Sequence, residues 1–89
     1  PVAFISQSGA IAEEVIAKSH TMRLPFGAIV SVGNAVHLGI TEYLEHYGRD
    51  DRCKAIALYV ESFGDLERFK AVAREVSRVK PIVALVGGR

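Results

Sequence analysis

Only one cysteine, Cys53, occurs in the 89 residues. It cannot close an internal disulfide, and no C-x-x-C spacing surrounds it. A disulfide scaffold is excluded, zinc or any other metal site is not expected, and a reducing, cytoplasmic compartment is. An excess of charge of either sign is also missing: 11 Lys+Arg against 10 Asp+Glu leave a net charge of +1. No broad field calls for nucleic acid or an anionic membrane, so an anion must be held locally by backbone groups or a few placed side chains. No apolar run approaches the roughly 20 residues that span a bilayer, and Pro1-Val2-Ala3 does not read as a signal peptide. The absent initiator methionine and the abrupt stop at Gly87-Gly88-Arg89 suggest one domain, residues 1–89, cut from a longer chain.

What is present is a 49% hydrophobic composition, enough for a core, distributed in a repeating pattern. Four continuous apolar runs, Val2 to Ser6, Gly27 to Val32, Ala55 to Val60 and Ile82 to Val86, have the character of strands buried on both faces, hence of a parallel sheet. Helical spacing lies between them. The first helix, about Ala10 to Arg23, groups Ile11, Val15, Ile16, Ser19 and Met22, with early acids and late bases suiting its dipole. The second, about Ile40 to Tyr47, is expected to stop at Gly48. The third starts after an N-cap at Asp65, carries the stripe Leu66, Phe69, Val72, Ala73, Val76 and Val79, and must end before Pro81. Right-handed crossovers then give an open, doubly wound α/β sheet of order 2-1-3-4, a fold that resembles flavodoxin's.

Ligands of such sheets sit beyond the carboxyl ends of the strands. On that rim, Ser6-Gln7-Ser8-Gly9-Ala10 turns the first strand into the first helix. Ser8 is placed to cap the helix, and the amides of Gly9, Ala10 and Ile11 are placed to hold a phosphate at its positive end; an ordinary cap without a ligand is the competing reading. Gly33 and Asn34 form the turn of the second loop, followed by His37. Glu61 ends the third strand, where a carboxylate either orients an imidazole or takes part in acid-base work, or else merely caps Gly64 or Asp65. His20, His37 and His46 show no metal-ligand spacing and read as solvated or hydrogen-bonded imidazoles. Cys53 falls at the opposite end of the strands and reads as structural.

Taken in order and spacing, F-I-S-Q-S-G-A, S-V-G-N, I-A-L-Y-V-E and K-P-I-V-A-L-V-G-G-R resemble the succinyl-CoA-synthetase-like, flavodoxin-type domain of NDP-forming acyl-CoA synthetases, a group that includes ADP-forming acetyl-CoA synthetases. The likeness covers essentially the whole chain. It implies reversible interconversion of acyl-CoA, phosphate and a nucleoside diphosphate with an acid, CoA and a nucleoside triphosphate, through acyl phosphate and a phosphohistidine. It further implies that Ser8, Gly9 and Ala10 hold the phosphoryl group, that Glu61 is the catalytic acid orienting the histidine, and that Gly33 and Asn34 line the substrate loop. CoA, ATP or ADP and Mg belong to the complete enzyme, on a CoA-binding Rossmann-type domain and an ATP-grasp domain or subunit, so this chain is expected to hold no cofactor of its own. The family's phosphohistidine follows the segment matching Val86 to Arg89 and is none of His20, His37 or His46. Many relatives carry an acid where His37 stands.

Three other readings accompany this one, among them a purely structural interaction domain whose four-stranded sheet leaves an edge to pair with another chain. Protein acetyltransferases carry a similar domain array in which acyl-CoA binding is regulatory and noncatalytic. A hydroxyl-glycine loop after the first strand also suits a flavin phosphate or another small anion, although Phe63 alone provides no aromatic pair for a flavin ring.

Overall fold

The computed structural model describes residues 1–32 and 39–87. In chain order it contains β1 (Val2–Ser6), α1 (Gly9–Met22), β2 (Phe26–Ser31), α2 (Ile40–Arg49), β3 (Ala55–Val60), α3 (Leu66–Val76) and β4 (Ile82–Val86). The four strands form one parallel sheet in the order β2-β1-β3-β4, the expected α/β topology. The chain steps outward from β1 to β2 and then crosses to β3, so the order reverses between β1 and β3. The crevice at that switch is flanked by the loops leaving those two strands.

Continuous apolarity has the physical cause inferred for it in β1, which is buried on both faces; β3 is buried on the face that carries Ile56, Leu58 and Val60 and half-buried on the other. Ile5, Ile56, Leu58 and Val60 are at most 1% exposed and pack with Ile40 and Leu44 of α2 and Phe69 and Val76 of α3. Each such side chain contributes about 1.5–3 kcal/mol on burial. Phe4, on the reverse face, packs edge-on against Phe26 with ring centroids 5.9 Å apart.

The first helix departs from its expected packing. Ala12 is its buried residue, while Ile16 is 42% and Met22 63% exposed. The helix packs mainly on β1 and β2, and the small Ala12, with the half-buried Ile11, Val15 and Ser19, marks the line of approach. At the sheet's other edge β4 is uncovered, with Val83, Leu85 and Val86 each more than 60% exposed.

Glycine 48 does not end α2, which continues to Arg49. A Cβ at this position would lie 2.5 Å from Val76 Cγ2: the missing side chain lets α2 and α3 cross closely, and no left-handed turn is involved. Gly48→Ala is expected to be destabilising by about 1 kcal/mol net, because overpacking of about 1–3 kcal/mol exceeds the helix-propensity gain of about 1 kcal/mol. Thermal unfolding checks this, and an unchanged or raised midpoint contradicts it.

The third helix is capped by Asp65, whose carboxylate accepts from the Arg68 N–H at 3.1 Å. It ends at Val76, well before Pro81, and Val79 of the expected stripe is 74% exposed. The chain there turns instead: Lys80 Nζ donates to the carbonyls of Tyr47 and Asp50, at 3.0 and 2.9 Å, and ties the α3–β4 turn to the end of α2.

At the rim, the Glu42 carboxylate accepts from the Gly39 N–H at 2.8 Å and from Arg68 at 2.8 Å. The Gly39 amide chiefly, and the Arg68 guanidinium less, hold its carboxyl below the ordinary value of 4.5. A depressed folded-state pKa stabilises the fold above the unfolded value, and that contribution is lost as pH falls through the folded one. Glu42→Gln is therefore expected to lower the thermal midpoint by a few degrees at pH 7, about 1 kcal/mol or less for so exposed a group. The difference should shrink as pH falls through the lowered folded-state value, and a difference that does not change with pH contradicts the assignment.

Candidate functional site

The turn from β1 into α1 is built by serine hydroxyls. Ser6 is fully buried, and its Oγ donates to the Ser8 carbonyl at 2.8 Å while accepting the Ser8 N–H at 3.0 Å. This folds the strand back on itself within two residues. Ser8 is the N-cap, its Oγ accepting from the Ile11 N–H at 3.2 Å, and its carbonyl accepts the Ala12 N–H at 3.1 Å.

These bonds divide the expected phosphate donors. The Ile11 amide is taken by the cap and is no longer a donor to a ligand. The N–H groups of Gly9 and Ala10 have no partner among the described residues, and both residues are exposed. The first turn of α1 also contains no acid: the helix begins one residue earlier than expected, which leaves Glu13 and Glu14 beyond its first turn. In contrast, α2 and α3 carry Glu42 and Glu67 in theirs. The positive end of α1 therefore keeps its pull on an anion.

A Cβ built on Gly9 would meet Ser31 Oγ at 3.8 Å, an ordinary contact. Ser31, the exposed last residue of β2, thus brings a third hydroxyl to the edge of the same turn. The sequence placed it at the head of the S-V-G-N motif, but only the register that pairs Ser6 with Ser31 sets its hydroxyl beside the first turn.

Glu61 follows β3 directly and is exposed. Its carboxylate has no hydrogen-bond or ion-pair partner among the described residues, and α3 is capped by Asp65 rather than by Glu61. Between the two loops lies Gln7. Its Oε1 accepts the N–H groups of Glu61 and Ser62, at 2.5 and 2.8 Å, and its Nε2 donates to the Ser62 carbonyl at 2.6 Å. The structure thus joins Glu61 to the Ser8–Ala10 turn through a residue that sequence reasoning passed over.

Gly33, Asn34 and His37 lie outside the described residues. His20 and His46 are exposed and distant from this rim in the chain's layout: His20 lies in the last turn of α1, and His46 packs edge-on to Tyr47, centroids 4.9 Å apart. Cys53 is buried at the amino end of β3 and donates to the Ala55 carbonyl at 3.2 Å. Phe63 packs against Phe69, ring centroids 4.7 Å apart, and is spent on the core, which counts against a flavin platform. A concavity lined by Pro1, Ala28, His46, Tyr47 and Cys53 opens at the amino ends of the strands, away from the helix N-termini that give a parallel sheet its anion-binding rim. No three His, Cys, Asp or Glu side chains among the described residues gather as a metal site. No helix among them is long and apolar enough to cross a membrane.

Residues 1–89 match the family model of the succinyl-CoA ligase like flavodoxin domain, and the chain belongs to that family. It is 40% identical over 88 residues to the alpha subunit of ADP-forming acetate–CoA ligase II of Pyrococcus furiosus, covering 99% of this chain and 19% of that protein. It is 36% identical over 88 residues to ADP-forming acetate–CoA ligase I of Archaeoglobus fulgidus, covering 99% of this chain and 13% of that one. Among solved structures, the dinucleotide-forming acetyl-coenzyme A synthetase 1 of Ca. Korarchaeum cryptofilum in complex with phosphate and ADP superposes with a TM-score of 0.91 at 35% identity, over 98% of this chain and 19% of that one. The chain thus spans a fifth or less of the length of these relatives, which are larger proteins containing it as one small domain.

Proposed function

We propose that this domain forms one wall of the phosphoryl-transfer site of an NDP-forming acyl-CoA synthetase, an acid–CoA ligase that interconverts acyl-CoA, acyl phosphate and nucleotide through a phosphohistidine. One observation carries the reading: two amides at the acid-free positive end of α1, without partners among the described residues, stand at the sheet's switch point, joined through Gln7 to the loop bearing a carboxylate that also has none among them. The N–H groups of Gly9 and Ala10 donate to phosphoryl oxygens, and the Ser8 hydroxyl, which accepts from Ile11, still has its proton to give. Glu61 accepts from one ring N–H of the histidine. That fixes the tautomer and leaves the other nitrogen to face phosphorus. Gly33 and Asn34 line the adjoining substrate loop.

The histidine comes from outside residues 1–89. In this reading, CoA is held by a Rossmann-type domain, and ATP or ADP with Mg by an ATP-grasp domain or subunit, of a cytoplasmic enzyme acting on a small carboxylic acid. The exposed Val83 and Leu85 on one face of β4, and Val86 on the other, support this arrangement, since an uncovered apolar edge strand calls for cover by other protein.

The test is to express the complete gene product with its ATP-grasp partner and incubate it with radiolabelled ATP. Acid-labile label on a histidine is expected. Acyl-CoA binding without any such label would favour the regulatory, noncatalytic relative instead.

A further inference from the structure

The Gln7 side chain is the one element among the described residues that bridges the anion-binding turn and the Glu61 loop. Its orientation is fixed chemically: two N–H groups converge on one end of the amide and a carbonyl faces the other, so Oε1 must face Glu61 and Ser62 and Nε2 the Ser62 carbonyl. A flipped amide would set donors against donors. The backbone carries Gln7 to this position, because its own N–H donates to the Tyr59 carbonyl at 3.0 Å and thereby extends the β1–β3 pairing past the last residue of the strand. Two and three positions further on are the amides of Gly9 and Ala10, which have no partner among the described residues. Beyond Val60 the third strand has no further ladder partner for Glu61 among the described residues, and its N–H and both backbone groups of Ser62 find theirs on Gln7. In a loop so exposed, removing those three bonds frees the residues that present the carboxylate.

We infer that Gln7 is a positioning residue, which sets the distance between the phosphoryl-holding turn and the Glu61 carboxylate by clamping the backbone of Glu61 and Ser62. The inference rests on the proposed role of Glu61 in orienting a phosphorylated histidine. It assigns Gln7 no contact with substrate. The amide is consumed by the loop, and its effect on the reaction passes through Glu61.

The experiment compares Gln7→Met, Glu61→Gln and the double variant in the complete enzyme, following histidine phosphorylation and turnover together with amide hydrogen exchange. Met keeps the length of the side chain and removes all three bonds. Gln7→Asn, one methylene too short to reach and as polar as the original, serves as a second variant should Gln7→Met fold poorly. The expected result is turnover reduced at least tenfold with KM for acyl-CoA within twofold, exchange at the Glu61 and Ser62 amides accelerated at least tenfold, and a double variant no slower than Glu61→Gln alone. Normal turnover in a Gln7 variant while Glu61→Gln is impaired overturns the clamp and leaves the role of Glu61 standing. Normal turnover in Glu61→Gln removes that role, and the clamp with it. Losses that multiply in the double variant also overturn the inference, since Gln7 would then act by a route independent of Glu61.

Discussion

Glu61→Gln should lower phosphohistidine formation and turnover by roughly 10²- to 10⁴-fold, with little change in KM for acyl-CoA. The substitution keeps the shape of the side chain and removes the negative charge. An exposed carboxylate without a competing partner among the described residues is available to a histidine arriving from another part of the enzyme. The magnitude follows from other systems. Removing a partner that orients a metal-binding histidine costs about 10–100-fold, and removing the acid that orients a catalytic histidine costs about 10⁴-fold. The exposed position predicts a second, separable outcome: the thermal midpoint should stay within a degree or two, because no packing or ion pair is lost. Rapid-quench measurement of phosphohistidine alongside thermal unfolding checks both halves, and unchanged kinetics would remove Glu61 from the reaction.

Gly9→Ala is the second large effect, and it is expected to move stability and activity in opposite directions. Gly9 opens α1, has ordinary helical space around it, and would bring an added Cβ no closer than 3.8 Å to Ser31 Oγ. Alanine relieves the backbone-entropy cost of glycine in a helix, so the fold should gain up to about 1 kcal/mol. The same methyl group stands beside the two amides that are placed to meet a phosphoryl group. If it holds the ligand off those donors, the loss approaches the roughly 10²- to 10³-fold seen when one preorganised oxyanion donor is removed. A stabilised protein with impaired phosphoryl transfer is the expected outcome. Stabilisation with full activity would mean that the glycine serves only the turn and that phosphorus does not approach there.

Much of the fold was legible because strand and helix periods answer to burial. Phe4 and Ile5 sit in a continuous apolar run since β1 is covered on both faces, whereas β3 is buried on one face and half-buried on the other; Asp65 announces α3 by the same side-chain cap that the structure contains. The misreadings have local causes. Gly48 carries the composition of a helix stop, but its use is set by Val76, 28 positions away in sequence, through a helix crossing that periodicity does not encode. The stripe on α1 was right for Ile11, Val15 and Ser19, which are half-buried beside Ala12, and wrong for Ile16 and Met22, which are exposed.

At the site, the cap at Ser8 and the two glycine-side amides were readable from residue type alone. The loss of the Ile11 amide to that cap follows only from atomic geometry. Gln7 was invisible for a related reason. Its partners are 54 and 55 positions downstream, and a glutamine between two serines carries no signal until β1 and β3 are laid side by side.

Crystallising the complete protein with inorganic phosphate puts the anion site itself to the test. Phosphate oxygens within hydrogen-bonding distance of the Gly9 and Ala10 amides, with Glu61 facing the same cavity, are the predicted result. Those amides covered by the protein's own packing, or a phosphate bound elsewhere while they remain bare, would contradict it.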